Sequence, residues 1–394
     1  MSDTKVVMPE KQKSVKDLCY MLWTECFDDT KQYTDYYFNN RWNNSITIIS
    51  DEVSMLHLNQ YNTMVNGKET GIYNIAGVCT LKEYRKRGYM DSVLKNALNF
   101  MYGQGKPFTY LMPASEEIYK PYGFTGIYPV RKVKGGIKLS GSIGSIENTG
   151  NKIICIPYNM LKDSQKTDLT KYTKNRLAEK FTCYTVHNKS YFQDFYEEMQ
   201  ACNGDILTLW NSSSVCQGYF IYLCEEMPEV IESVFEKEVQ CEILEYLARL
   251  GFPAIKINET NFWDLDLPEI EEPENYLMAR IVDLKAFAEC IFTKEHKETW
   301  LEVTDNIISG NNGRWHIITG EGKTHCHKCG EIEEITEDKG NKIKEENTGY
   351  KKYTENTVNK RHTKVNEKHY IKCTIEELGQ KYLGRMKYFL NELV

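Results

Sequence analysis

A strand, a cationic loop and an amphipathic helix follow one another through residues 76–101, and this succession constrains the fold more than any other stretch. Ala76–Leu81 reads as a strand. Met90, Val93, Leu94, Ala97, Leu98 and Met101 then recur at the spacing of one helical face. A helix packed between strands implies an α/β layer built around a crossover. The loop carries Arg85, Lys86, Arg87 and Gly88 where the helix begins, and no Ser, Thr, Asp or Asn stands at the obvious capping position. A helix N-terminus already bears partial positive charge and unpaired N–H groups, so three cations there oppose the dipole. The arrangement is consistent if a ligand with several negative charges, such as a pyrophosphate, supplies the missing acceptors and Gly88 lets it approach the backbone. The alternative is three solvated side chains pointing away from the axis.

The flanking sequence extends the layer. Residues 13–42 read as one or two helices broken near Asp28–Asp29. "SITIIS", "SMLHLNQYN" and "GIYNIAGVCTL" read as strands, with the turn "VNGKET" between the last two. "FTYLMPA" follows the helix as a short buried strand, and "EEIYKPYGF" closes the unit. A weaker copy follows: "DILTLW", "VCQGYFIYLC", a helix over "EKEVQCEILEYLARL" and the strand "FPAIKI". Its strand-to-helix link is read as "EEMPEVIESVFEKE", whose Glu225, Glu226, Glu229 and Glu232 would repel an anion. A third region runs from "NYLMARIVDLKAFAEC" through a hairpin signalled by Asn-Asn-Gly in "LEVTDNIISGNNGRWHII". It passes through a polar insertion at about 320–368 to a helix, "TIEELGQKYLGRM", and the tail "KYFLNELV".

At 394 residues the chain has room for two or three domains. Its net charge of −7 argues against nucleic acid as a partner and suits attraction of cationic small molecules. The 13 cysteines follow no disulfide framework, and no apolar leader or membrane span is visible. The expectation is a cytoplasmic protein with reduced thiols and no membrane partner.

Arg85-x-x-Gly88-x-Met90 after the strand resembles the coenzyme-A loop of the GNAT N-acetyltransferases. "YLMPASEEIYKPYGF" resembles that superfamily's closing segment. The loop is neither a Walker loop nor a dinucleotide fingerprint, since Gly-Lys-Ser/Thr and Gly-x-Gly are both absent. Over its whole length the chain resembles the Eis (enhanced intracellular survival) acetyltransferases. The resemblance implies an α/β (α+β) architecture. A catalytic GNAT domain would span 1–145 and a degenerate second one 146–275, each with a mixed sheet. A sterol-carrier-protein-like α+β domain would span 276–394.

The same resemblance implies acetyl-CoA as co-substrate. Val78 and Thr80 would bind the pantetheine arm through their backbones, and Arg85, Lys86, Arg87, Gly88, Tyr89 and Met90 the pyrophosphate. Tyr119 would be the general acid, with Tyr122 the competing choice. A phenol, pKa about 10, can protonate a leaving thiolate of pKa about 8.5 with modest help. The base would be the terminal carboxylate of Val394, carried by the apolar tail residues Tyr388, Phe389, Leu390 and Leu393.

Glu25, Asp28, Asp29 and Asp35, interleaved with Trp23, Tyr33, Tyr36, Tyr37 and Trp42, suit a cationic acceptor; Glu25, Asp28, Asp29, Tyr33 and Tyr36 are the candidate contacts. The alternative is an amphipathic helix with a solvated acidic face. The expected reaction is transfer of acetyl to a primary amine of an aminoglycoside- or polyamine-like molecule. The rivals are a protein-lysine acetyltransferase and a non-catalytic acyl-CoA or apolar-ligand binder. Family members are often hexameric, so a homo-oligomer is implied. Cys326 and Cys329 supply half a zinc site, which His362, His369 or Cys373 could complete; no metal is expected, with zinc there as the alternative.

Overall fold

The computed structural model describes residues 3–130, 137–138, 153–224, 228–251, 254–257, 262–263, 274–290, 296–320, 322–329 and 370–390. Strand β1 (Thr4–Val7) precedes α1 (Lys16–Cys26) and α2 (Lys31–Tyr36), which continues as a π-turn over Tyr37–Arg41. Then come β2 (Ile46–Ser50), β3 (Ser54–Val65), β4 (Lys68–Thr80), α3 (Tyr89–Gly103), β5 (Phe108–Leu111), α4 (Glu116–Tyr119) and β6 (Thr125–Val130). The expected helix break falls at residues 27–30, where Thr30 caps α2 by accepting from the Tyr33 N–H. The turn joining β3 to β4 is the two-residue Asn66-Gly67, both at positive φ, the geometry that matches strand twist in a tight hairpin.

The second unit holds β7 (Ile137–Lys138), β8 (Ile154–Pro157), α5 (Asp163–Lys180), β9 (Cys183–Thr185), α6 (Lys189–Ala201), β10 (Gly204–Trp210), β11 (Cys216–Leu223), β12 (Glu229–Phe235), α7 (Gln240–Arg249) and β13 (Ala254–Ile257). The third part holds β14 (Glu274–Ile281), α8 (Leu284–Ala288), β15 (Lys297–Thr304), β16 (Gly313–Gly320), β17 (Lys323–Lys328), β18 (Ile371–Thr374), α9 (Ile375–Tyr382) and β19 (Tyr388–Phe389). No helix among the described residues is long and apolar enough to cross a membrane.

Three mixed sheets result, as an α/β reading requires. The first runs β1-β2-β3-β4-β5-β14-β6, with β9 also on β3 and β19 on β9. The second runs β7-β13-β12-β11-β10-β8, and the third β17-β16-β15-β18. Strand β14 comes from far along the chain yet lies between β5 and β6, a placement no local pattern announces.

The first sheet is covered on both faces because its strands alternate. Ile48, Leu56, Leu58 and Ile75 pack with Val93, Leu94, Ala97, Leu98 and Met101 of α3. Ile49, Met55 and Cys79 face the other way, toward Leu22, Trp23, Tyr37, Phe38 and Trp42. Each fully buried aliphatic side chain contributes about 1.5–3 kcal/mol.

The link "EEMPEVIESVFEKE" is corrected by the structure. Residues 229–235 are strand β12, and only Glu236–Val239 joins it to α7. Glu232 is buried there, accepting from Tyr219 Oη at 2.7 Å and facing His187 Nε2 at 3.1 Å. Val230, Ile231 and Val234 were masked in the pattern by the intervening glutamates. Glu225 and Glu226 lie outside the described residues. With β12 counted, the second unit repeats strand, strand, strand, helix, strand more completely than the sequence suggests. The Asn-Asn-Gly hairpin is also present as β15–β16, but its connection spans residues 305–312. Asp305 organises it, accepting from the N–H groups of Ile307 and Ile308 and from Asn311 Nδ2.

Gly77 governs how β4 can be packed. It has φ +58°, and a Cβ there would stand 2.6 Å from Trp23 Cζ3 and 2.9 Å from His57 Cδ2. The β3–β4 register shifts at this point, between Met55 and His57. Gly77→Ala is expected to destabilise the fold by about 1–3 kcal/mol through overpacking, read as a lowered denaturation midpoint.

Candidate active site

Beyond Ile75 the two central strands part. β4 and β5 pair in parallel only through Tyr73–Ile75 and Thr109–Leu111, while β4 stays hydrogen-bonded to β3 as far as Thr80. The β5-facing edge of Ala76–Val78 is therefore open. A cleft of about 810 Å³ occupies the gap, walled by Trp23, Phe27–Thr30, Tyr33, Ile75–Val78, Met112–Ala114 and Tyr119. The second unit adds Ala201–Asn203, Leu223 and Cys224.

The cleft brings together Asp28, Asp29, Tyr33, Val78 and Tyr119 from the candidate set. Trp23 Nε1 donates to Asp29 Oδ2 at 2.8 Å, and the Asp28 carboxylate is exposed with no hydrogen bond or ion pair to a described residue. Tyr119 is 5% exposed and packs edge-on to Phe124, with ring centroids 6.0 Å apart. Burial pushes its phenol up to about 12. Tyr122 is also raised to about 12, by burial and then by Asp91, but it is not in the cleft wall. Burial raises Tyr33 as well, aided by the Glu198 carboxylate.

Thr80 and residues 85–90 lie past the cleft's end. Arg85, Lys86, Arg87 and Gly88 are exposed, while Tyr89 and Met90 are half-buried. Gly88 is the N-cap of α3 at φ +89° and makes no side-chain cap, so the first N–H groups of the helix rely on other acceptors. Arg85 Nε donates to the Thr80 carbonyl at 3.1 Å, folding the loop back on β4. Arg87 lies over the Tyr84 ring at 5.5 Å.

Other candidates are placed elsewhere. Glu25 is exposed outside the cleft wall. Tyr36 lines a separate polar cavity of about 420 Å³ and donates to the Asp194 carbonyl at 2.8 Å. Val394 lies outside the described residues, as does the insertion from residue 330 to 369; Tyr388, Phe389 and Leu390 ahead of Val394 are buried. Cys326 is buried on β17, and Cys373 is on β18 at the opposite edge of that sheet. Three strand spacings of about 4.8 Å separate those strands, too far for shared ligation. No group of three or more His, Cys, Asp or Glu among the described residues could hold a metal.

The second unit's share of the wall was unreadable from sequence. Ala201–Asn203 end α6 and Cys224 ends β11, and neither carries a motif. They reach the cleft because α6 docks on α2. Gln32 Nε2 donates to the Gln200 carbonyl at 3.1 Å, and Asn40 Nδ2 to Glu197 Oε2 at 3.2 Å. Beneath them Arg41 pairs with the fully buried Glu198 and donates to Tyr61 Oη.

Residues 10–127 match the family model described as acetyltransferase (GNAT) domain. The N-terminal unit is a GNAT acetyltransferase domain. None of the curated proteins matches the chain. Among solved structures, a conserved protein and probable N-acyltransferase from Enterococcus faecalis is 18% identical, with TM-score 0.68 over 83% of this chain and 85% of that one. A GCN5-related N-acetyltransferase from Kribbella flavida is 14% identical, with TM-score 0.62 over 84% and 85%. Eis1 from Mycobacterium abscessus is 12% identical, with TM-score 0.56 over 82% and 85%. At these identities the likeness is one of fold, and it extends well past the GNAT domain itself.

Truncating one member of a buried ion pair leaves its partner unsatisfied. Glu198→Ala is expected to cost about 3–5 kcal/mol in a urea titration, and replacing Arg41 and Glu198 together with Met to recover most of it.

Proposed function

We propose that the protein transfers an acetyl group from acetyl-CoA to a primary amine of a cationic small molecule of aminoglycoside or polyamine type. The observation that carries this reading is the shared cleft, in which the open edge of Ala76–Val78, the Tyr119 phenol and the Asp28 carboxylate face one space. The unpaired β4 edge offers backbone groups to the amides of a pantetheine arm. The exposed cations at 85–87 and the free N–H groups of α3 continue that line toward a pyrophosphate.

Acetyl-CoA supplies the activated thioester. The chain's part is to hold amine and thioester in line, which can account for several kcal/mol of the barrier. Asp28 and Asp29 attract the ammonium form of the acceptor, which gives up a proton to solvent before its nitrogen attacks the thioester carbonyl, and Trp23 orients Asp29. Tyr119 stands where the thiolate leaves. With its phenol raised to about 12, a complete transfer to a thiolate of pKa about 8.5 runs uphill. Its contribution is a hydrogen bond that strengthens as negative charge gathers on sulfur, with solvent completing protonation. The same proposal takes residues 276–394 as a sterol-carrier-protein-like domain.

Thiol release from acetyl-CoA, followed with a panel of aminoglycosides, polyamines and lysine peptides, tests the reading. Release with the small amines is expected. Release with peptides alone assigns the protein-lysine alternative, and release with none overturns the enzymatic reading. Tyr119→Phe should lower kcat about 100-fold while leaving acetyl-CoA affinity unchanged. Arg87→Ala should raise the acetyl-CoA KM about tenfold, the worth of one charge-assisted hydrogen bond, with little change in kcat.

A further inference from the structure

Helix α1 packs against β4, and each element brings a thiol to that contact. Cys79 points away from the pantetheine edge into the core under α1, and its Sγ lies 3.9 Å from the Leu22 carbonyl oxygen. Leu22 and Cys26 are one helical turn apart on the same face, so Cys26 carries its thiol onward along that contact. Cys26 packs against the cluster that holds Cys79, and the Arg85 guanidinium acts on it electrostatically. Cys79 is buried, whereas Cys26 is half-buried and immediately precedes Phe27 and Asp28 of the cleft wall.

We infer that Cys26 and Cys79 are a thiol-oxidation site, in which a peroxide oxidises Cys26 and Cys79 resolves it to an intramolecular disulfide. Neither residue has a part in the acetyl-transfer reading, and the site does not depend on it.

The environment separates the roles of the two sulfurs. The neighbouring Cys79 thiol and the charge of Arg85 pull the Cys26 thiol below its ordinary range, against burial and the nearby Glu25. The proximity of Cys26 and burial push Cys79 up. The thiolate is the nucleophile, and a low-pKa, reachable cysteine beside a resolving one is the arrangement that oxidises reversibly. In the first step the Cys26 thiolate attacks one peroxide oxygen and the O–O bond breaks. Hydroxide leaves, takes up a proton as water, and Cys26 becomes a sulfenic acid. Cys79 then gives up its proton and attacks the Cys26 sulfur. The S–S bond forms, the S–O bond breaks and a second water leaves. Overall two thiols and one hydrogen peroxide give one disulfide and two waters, and a dithiol reverses the change.

The test uses the folded full-length chain and reads chemistry rather than turnover. After brief exposure to equimolar hydrogen peroxide and blocking with iodoacetamide, peptide mass mapping is expected to join Cys26 to Cys79 with a loss of two mass units. Dithiothreitol should reverse it. In Cys26→Ser, with its fold verified by circular dichroism, Cys79 should stay reduced. An iodoacetamide pulse on the reduced protein at neutral pH should label Cys26 at least tenfold faster than the exposed Cys224, and Arg85→Gln should slow that labelling. Faster labelling of Cys224, a disulfide joining other cysteines, or Cys26 driven to sulfinic acid with Cys79 untouched would each overturn the site.

Discussion

The parting of β4 from β5 is the constraint on which the rest of the structure depends. Two parallel strands that stayed paired would leave neither an open edge nor a cleft. Here the pairing stops at Ile75 and Leu111, because β4 bends at Gly77, where only a residue without a Cβ fits beneath Trp23 and His57. The aromatic cluster of α1 and α2 thus does more than cover the sheet. Trp23 presses on Gly77, walls the cleft and donates to Asp29, so one indole links the bend, the cavity and the acidic group at its mouth.

The second unit uses the same plan differently. Its β12 and β13 also pair in parallel, through Glu229–Val230 and Lys256–Ile257. The side chain two residues on, Glu232, is tied to Tyr219 and His187, and Phe262, Trp263 and the tail residue Phe389 pack close by. Trp263 Nε1 donates to Ser233 Oγ at 2.9 Å. Where the first unit has a glycine and a cavity, the second has a buried polar network and aromatic rings. Its contribution to the cleft is made from outside, through the ends of α6 and β11.

Legibility in the sequence followed the range of the interactions. The α3 stripe, the Asn66-Gly67 turn and the break at residues 27–30 are local events, governed by period, φ and capping, and they read through directly. β12 was hidden because two of its seven residues are glutamates, and the carboxylate of Glu232 meets His187 and Tyr219, distant in sequence. The insertion of β14 between β5 and β6 was hidden for the same reason: a strand's pattern specifies which face is buried and says nothing of which neighbour it pairs with.

The sequence by itself determined the α/β class, the strand–cationic loop–helix unit, and the candidacy of Asp28, Asp29, Val78 and Tyr119. The class, the unit and the two aspartates rest on residue chemistry within a few positions of their neighbours, and Val78 and Tyr119 on the resemblance to the GNAT N-acetyltransferases. Only the tertiary structure decided that these four share one cleft, that Glu25 and Tyr36 stand outside it, and that Cys202 and Cys224 of the second unit complete its wall. Those outcomes depend on how α6 seats against α2 over the buried Arg41–Glu198 pair, a contact between residues 157 positions apart. Such a contact exists only once both units have folded and met.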